Sequence, residues 1–309
     1  MPSARLVHSP KGFLRYMQMS CKTLFAFVEG IECDCFIYGQ ICALVCGKRK
    51  MDYGLCRANE IPPYAGGKNA LLGYHDFLRK RKALKSILSG KETVAVFFLD
   101  KDIDDILRQK RRSQHIIYTR YYDVQNDIFL NGDLTRGCAS AASLDPAVLD
   151  PLLSNSRLWC SEAAERWREW VVLCLVTACK HINHQCNFRV RSQIQCPISG
   201  KTDSTKTAQM TAHMAAKSGM SAEAFKVYHA AVRRRVKDFY SKGEQDRVFK
   251  GKWYAAMLDE DIKRVMGTQE YDKAGFASRV TSAVAATLSF PDSWTQAYSI
   301  RLETLLNIK

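Results

Sequence analysis

Residues 92–105, ETVAVFFLDKDIDD, decide the fold. Thr93–Leu99 is an unbroken apolar run rich in Val and Phe, short for a helix and right for a strand buried on both faces. It stops on Asp100, and Asp102 follows two residues later. An earlier stretch, TLFAFVEGIECDCF (23–36), repeats the pattern. There a strand over Thr23–Val28 runs up to Glu29 and Gly30. Two buried strands that end on carboxylates set the question for the rest of the chain.

Between and after these strands the periodicity changes. Phe36, Ile37, Gln40, Ile41, Leu44 and Val45 recur at helical spacing, and Lys48–Lys50 suits a helix C-terminus, where the backbone dipole favours cations. A weaker strand is expected over Tyr53–Ala58. IPPYAGGKN (61–69) then breaks the pattern with two prolines and two glycines. Ala70–Leu88 has helical period and carries the basic run RKRK (79–82). DIDDILRQKRR (102–112) reads as a further helix and HIIYTRYY (115–122) as a further strand. Strand and helix alternate, which predicts an α/β fold with a parallel sheet and helices on both faces.

Past residue 140 the chain turns mostly helical, so the expected organisation is an α/β domain over 1–140 and a helical domain over 141–309. Residues 145–182 look helical, with a capping pattern at Ser161. Residues 187–211 look like a loop or short strands. Ser221–Lys242, Lys252–Val265 and the stretch from Asp292 look helical again.

Composition bounds the function. The chain has 309 residues, 47% of them hydrophobic and 25% charged, which suits a folded protein. Its net charge of +15 favours polyanionic partners, of which nucleic acid is the commonest, although a membrane surface or solubility would also account for it. The first twenty residues lack the apolar core of a signal peptide, and no segment reaches eighteen uncharged apolar residues, so no membrane partner is expected. The twelve cysteines fall partly inside apolar stretches (Cys42, Cys46, Cys174) and read as reduced thiols in a cytoplasmic setting.

In an open parallel sheet, ligands collect at the carboxyl ends of the strands. Glu29, Asp100 and Asp102 are expected there. Carboxylates packed together repel unless a cation neutralises them, and oxygen ligands select hard ions such as Mg²⁺ or Mn²⁺. The competing reading is that Asp100 and Asp102 only start a helix, as Asp does at N-caps.

The acid-Gly step of FVEG and the acid-x-acid step of FFLDKD, in this order and in this alternation, resemble the Toprim fold of topoisomerases, primases and OLD nucleases. The likeness covers about the first third of the chain. A closer resemblance is to an OLD-related Toprim family once described only as a domain of unknown function. GGK (66–68) and YYDVQN (121–126) carry it, together with WREWVV and FKGKWY in the second half; Gln125 departs from the acid usual at that place. The resemblance implies a metal-dependent nuclease with Glu29, Asp100 and Asp102 on Mg²⁺ or Mn²⁺, or with Glu29 as general base. It implies Lys68 at the transition-state phosphate. It also implies a toxic anti-phage effector that cuts host tRNA or DNA, held by a separate ABC-type ATPase, with a homodimer possible. A non-catalytic Toprim scaffold that binds nucleic acid or an ATPase partner is the alternative. A primase-like nucleotidyl transferase would share the acids.

Weaker signals remain. GGKN (66–69) and SGKT (199–202) each lack part of a phosphate-loop motif, so neither is expected to bind ATP. Cys179, His181, His184 and Cys186 crowd eight residues without the paired spacing of a structural zinc site, and packing at a helix end is the simpler reading. Tyr118, Tyr121 and Tyr122 beside Arg120 could stack bases but more often pack in a core. The basic runs 79–82, 108–112 and 233–237 are candidates for phosphate contacts. Asp104 and Asp105 suit a helix start, and Asp123 is a secondary candidate at a strand end.

Overall fold

The computed structural model describes residues 9–30, 33–60, 66–196, 199–267 and 271–308. In chain order the elements begin with α1 (Pro10–Met19), β1 (Leu24–Val28), α2 (Asp34–Gly47), β2 (Tyr53–Arg57) and α3 (Gly67–Lys80). Next come β3 (Lys85–Leu88), β4 (Lys91–Leu99), β5 (Ile116–Tyr118), α4 (Val124–Asn131) and α5 (Leu134–Ala142). Then follow α6 (Pro146–Leu153), α7 (Ser156–Arg166), α8 (Arg168–Lys180), α9 (Ser204–Lys217) and α10 (Ala222–Ser241). The chain continues with α11 (Lys252–Met266), α12 (Phe276–Ala285) and α13 (Gln296–Leu305). These elements form two compact units that interleave along the sequence. The first unit takes residues 1–101, 110–119 and 288–309, and the second takes 102–109 and 120–287.

The first unit is built on the sheet. β1 lies between β2 and β4 and is parallel to both, with Val28 opposite Arg57 on one side and Phe98 on the other. β5 pairs parallel with the end of β4, and β3 pairs antiparallel with its beginning. All five residues of β1 are buried, as a strand covered on both faces requires. On one face, Phe25, Phe27, Ala95, Phe97 and Leu99 pack against α1 and α3, with the Phe27 and Phe97 rings stacked at 4.7 Å. On the other face, Phe98 stacks on Tyr38 of α2 at 4.2 Å, and Tyr298 of α13 closes on Tyr38 edge-on. Burying each such ring stabilises the unit by roughly 1.5–3 kcal/mol.

The second unit is helical. Its interior gathers Trp159, Trp167, Trp170, Phe249, Trp253 and Tyr254, all buried. Asp261 of α11 ties that helix to α7: Arg166 donates to both its oxygens at 2.6 Å and Trp159 Nε1 donates at 2.9 Å. No helix among the described residues is long and apolar enough to cross a membrane.

Four local expectations need correction. The helical period over 70–88 does not continue through the basic run. Lys82 takes a left-handed conformation (φ 55°), and the Lys82 and Ala83 N–H groups bond back to Arg79 O and Leu78 O. That pair of bonds is a Schellman stop with Lys in the place usually held by Gly. The chain then forms β3 and returns through Ser89–Gly90, both at positive φ, a turn suited to a tight hairpin. Residues 102–112 are not a helix either, because Asp102 (φ 49°) and Arg108 (φ 59°) are left-handed and bracket a few irregular turns. Residues 204–211, expected to be irregular, start α9, whose N-terminus Asp203 caps through the Lys206 N–H. Ser161 lies inside α7, where the cap is Asn155, accepting from the Leu158 N–H.

Candidate functional site

The carboxyl edge of the sheet brings Glu29 and Asp100 together. β1 and β4 are adjacent and parallel, so the residues that follow them leave the sheet side by side. The Asp100 N–H donates to Glu29 Oε2 at 3.4 Å, a long contact that orients the glutamate across the strand ends. The β4–β5 pairing continues past β5. Thr119 N–H donates to Leu99 O at 3.0 Å, and the Lys101 N–H donates to Thr119 Oγ1 at 2.8 Å. Lys101 itself is buried.

Gly30 has a local reason to follow Glu29. Its N–H donates to Asp34 Oδ2 at 2.7 Å, and a Cβ at position 30 would sit 2.6–2.8 Å from the three carboxylate atoms of Asp34. Only glycine lets that carboxylate close onto the turn. Asp34 opens α2, where its charge suits the helix N-terminus. It is a buried third acid on this edge that sequence reasoning missed; the available signal was an acid one helical turn past the glycine. Arg57, level with Val28 at the end of β2, was missed as well. Its Nε donates to Cys35 Sγ at 3.2 Å, which holds a cation beside the first turn of α2. Lys68 lies in the first turn of α3, after Gly66 and Gly67 at φ 95° and 70°, and Gly66 lies against Asn59 just past β2. Ile61–Ala65, the expected breaking segment, falls outside the described residues.

Asp102 belongs to the second unit, where its N–H donates to Tyr122 O at 2.6 Å. Asp123 caps α4 there in a reciprocal box: its Oδ1 accepts from the Asn126 N–H, and Asn126 Oδ1 accepts from the Asp123 N–H. Asn126 Nδ2 goes on to Asp246 Oδ1 at 2.8 Å and Phe249 O at 3.1 Å, and the Tyr254 hydroxyl donates to the same Asp246 oxygen at 2.7 Å. Burial pushes the Asp123 carboxyl up to about 7; Lys252 and Lys250 oppose the rise and the Asp102 carboxylate adds to it. Asp123 Oδ2 is buried with no hydrogen-bond partner. Burial likewise pushes Asp246 up to about 6, against the hydrogen bonds from Tyr254 and Asn126.

Other singled-out residues have structural roles. Tyr118 and Tyr122 are buried, and Arg120 donates through Nε and Nη2 to the fully buried Asp127. Asp105 accepts from Arg247 at 3.1 Å, while Asp104 O accepts from the Gln109 N–H in the irregular turns. The Cys179–Cys186 cluster disperses. Cys179 lies against Tyr228 and Arg235, His181 ends α8 at φ 51°, and His184 turns to His213 at 3.2 Å. Lys201 of SGKT lies in a tight turn, its carbonyl accepting from the Cys196 N–H.

Among the described residues, no group of three His, Cys, Asp or Glu side chains is arranged to hold a metal ion. Mg²⁺ does not need such a cage: it keeps several waters and is commonly held by one or two carboxylates together with substrate phosphates. The strand ends offer that mode oxygen donors of the right chemistry, the Glu29 carboxylate oriented by the Asp100 N–H and the carboxylate of Asp100 on the adjacent strand end. Comparison of the chain with protein-family models and with curated proteins finds no match.

Proposed function

We propose that this protein is a divalent-metal-dependent nuclease whose reacting groups lie on the carboxyl edge of the sheet. The observation that carries the reading is the meeting of Glu29 and Asp100 on adjacent parallel strand ends, linked at 3.4 Å. Glu29 and Asp100 are the residues of this edge that would hold Mg²⁺ or Mn²⁺. Bound there, the cation would stabilise charge on a phosphate and acidify a water.

The remaining roles fall to the chain's own side chains. In the alternative arrangement, with the cation on aspartate, the Glu29 carboxylate that accepts from the Asp100 N–H would instead be the base that takes a proton from the attacking water. Lys68 and Arg57 supply cations at the same edge for the phosphate oxygens. Gly30 and Asp34 keep the turn after Glu29 in shape.

RNA, and tRNA in particular, is the preferred substrate in this reading. It rests on the sequence resemblance to OLD-related effector nucleases such as AriB of the PARIS anti-phage system. The same resemblance supports a role as a toxic defence effector in the cytoplasm, held by an ABC-type ATPase. The test is incubation of the purified protein with total tRNA, plasmid and linear DNA, with and without Mg²⁺ or Mn²⁺. Cleavage is expected to need the cation and to vanish in Glu29→Ala while the urea midpoint stays put. An alanine variant as active as its parent refutes the assignment. Cation-independent binding without cleavage would favour a non-catalytic scaffold instead.

A further inference from the structure

Two basic runs distant in sequence, 79–82 at the end of α3 and 110–112 ahead of β5, share one surface of the first unit. Asp76 joins them. Arg79 Nη2 lies 3.5 Å from one of its oxygens, and Arg111 Nη1 donates to the other. One residue earlier, His75 Nε2 meets Ser113 Oγ at 3.0 Å and adds a second tie between the same segments. The cations are also held in place individually. The Arg81 guanidinium lies over the Phe77 ring at 3.9 Å and the Lys110 ammonium over the Tyr118 ring at 4.9 Å. The two runs that Asp76 joins thus carry seven exposed cations, and among the described residues Lys80, Lys82 and Arg112 pair with no acid.

From this arrangement we infer that the α3 surface is a docking site for the phosphodiester backbone of a nucleic acid. Asp76 neutralises one charge but fixes two arginines, and ring stacking fixes two more cations, so little side-chain freedom is lost when a polyanion arrives. A rival surface exists on the second unit, between α8 and α10, where Arg168, Arg233, Arg234 and Lys237 line a groove. There Glu165 and Glu169 pair with Arg168 and Arg233, which cancels much of the field. The α3 surface therefore holds the larger unneutralised charge.

Its distance from the acid pair follows from strand geometry. The His75 ring packs on Phe97, and the Ala95 N–H donates to Leu84 O, so the basic surface is level with residues 95–97 of β4. Asp100 lies three to five residues further on, about 10–16 Å at 3.3 Å per residue. One strand of a duplex places about three to five phosphates along that length. The surface thus serves as a remote anchor that short oligonucleotides fail to reach while engaging the acids. This distance argument rests on the reading of Glu29 and Asp100 as the reacting edge; the binding itself does not.

The test uses the full chain in EDTA, with end-labelled 20-mers of RNA and DNA, single-stranded and duplex, followed by fluorescence anisotropy. Lys80→Glu/Lys82→Glu/Arg112→Glu is expected to weaken binding at least tenfold at low salt. The log–log salt slope on single strands should fall by about 2, at ~0.7 per lost contact. The triple glutamine variant should lie between, and Arg234→Glu/Lys237→Glu should bind within twofold of the parent. Unchanged affinity in the glutamate variant overturns the inference, as does a loss confined to the α10 variant. Displacement of the oligonucleotide by poly-glutamate at equal charge also overturns it, in favour of an acidic protein partner. A parent that binds through Lys80, Lys82 and Arg112 yet cuts nothing with Mg²⁺ leaves the surface standing and removes only the nuclease reading.

Discussion

Gly251→Ala isolates how tightly the second unit is closed around Asp123. Gly251 lies between Lys250 and Lys252, and a Cβ there would come 2.3 Å from Asn126 N, 2.4 Å from Asp123 Oδ1 and 2.8 Å from Gln125 C. Carbon contacts settle near 3.5–4.0 Å, so the start of α4 must back away by about 1 Å or more. Two of the three obstructing atoms are backbone and cannot rotate aside. Overpacking of this kind costs about 1–3 kcal/mol, and disturbing the Asp123 cap adds about 0.5–2 kcal/mol. We expect a loss of about 3 kcal/mol, which at an m-value of about 3 kcal/mol/M lowers the urea midpoint by about 1 M. Tryptophan fluorescence reports it directly, because Trp253 is two residues away and packs on Trp167 at 5.4 Å. The control is Gly47→Ala at the end of α2, where an added Cβ meets nothing within 4 Å. That change should be neutral or stabilising by up to about 1 kcal/mol. If Gly251→Ala unfolds at the parent's midpoint while Gly47→Ala behaves as expected, the close approach of the Lys250–Lys252 turn to α4 is wrong.

Two further outcomes are expected. Asp123 and Asp246 have folded-state pKa values of about 7 and about 6, above the ordinary carboxyl value, so the folded state holds more protons between pH ~4 and ~7 and stability falls as pH rises through that window. Asp123→Asn, which keeps a competent cap, should flatten the slope; urea midpoints as steep in pH as the parent's would refute the burial argument. All twelve cysteines are free, and Cys21 is the exposed one. A thiol reagent should show a fast single-site phase that Cys21→Ser removes, while Cys160 and Cys174, with thiols pushed up by complete burial, react only after unfolding.

Much of the sheet was legible because apolar runs such as Thr93–Leu99 have one economical fate. The strand-end position of Glu29 and Asp100 followed from the same logic. What failed was local stereochemistry. Asp102, Arg108 and Lys82 adopt left-handed conformations that residue type alone does not announce: the first two bracket the irregular turns where a helix was expected, and Lys82 stops α3 short of the period that the hydrophobic pattern continues. α9 was missed because a single residue of it, Met214, is buried, so its sequence carries almost no apolar stripe. Asp34 was overlooked because its importance lies in a hydrogen bond to the residue after Glu29, four positions back. The convergence of 79–82 with 110–112 depends on Asp76, which reads in sequence as an ordinary surface acid.

The return of α13 to the sheet has a consequence for biogenesis. Its Tyr298 covers Tyr38, its Arg301 donates to Ile116 O at 2.8 Å, and Glu303 pairs with Lys48 at 2.5 Å. A ribosome that has made everything up to α12 has therefore still not supplied the lid for the α2 face of the first unit. Until translation passes residue 305, the outer aromatic face of α2 around Tyr38 stays open to the cell's chaperones.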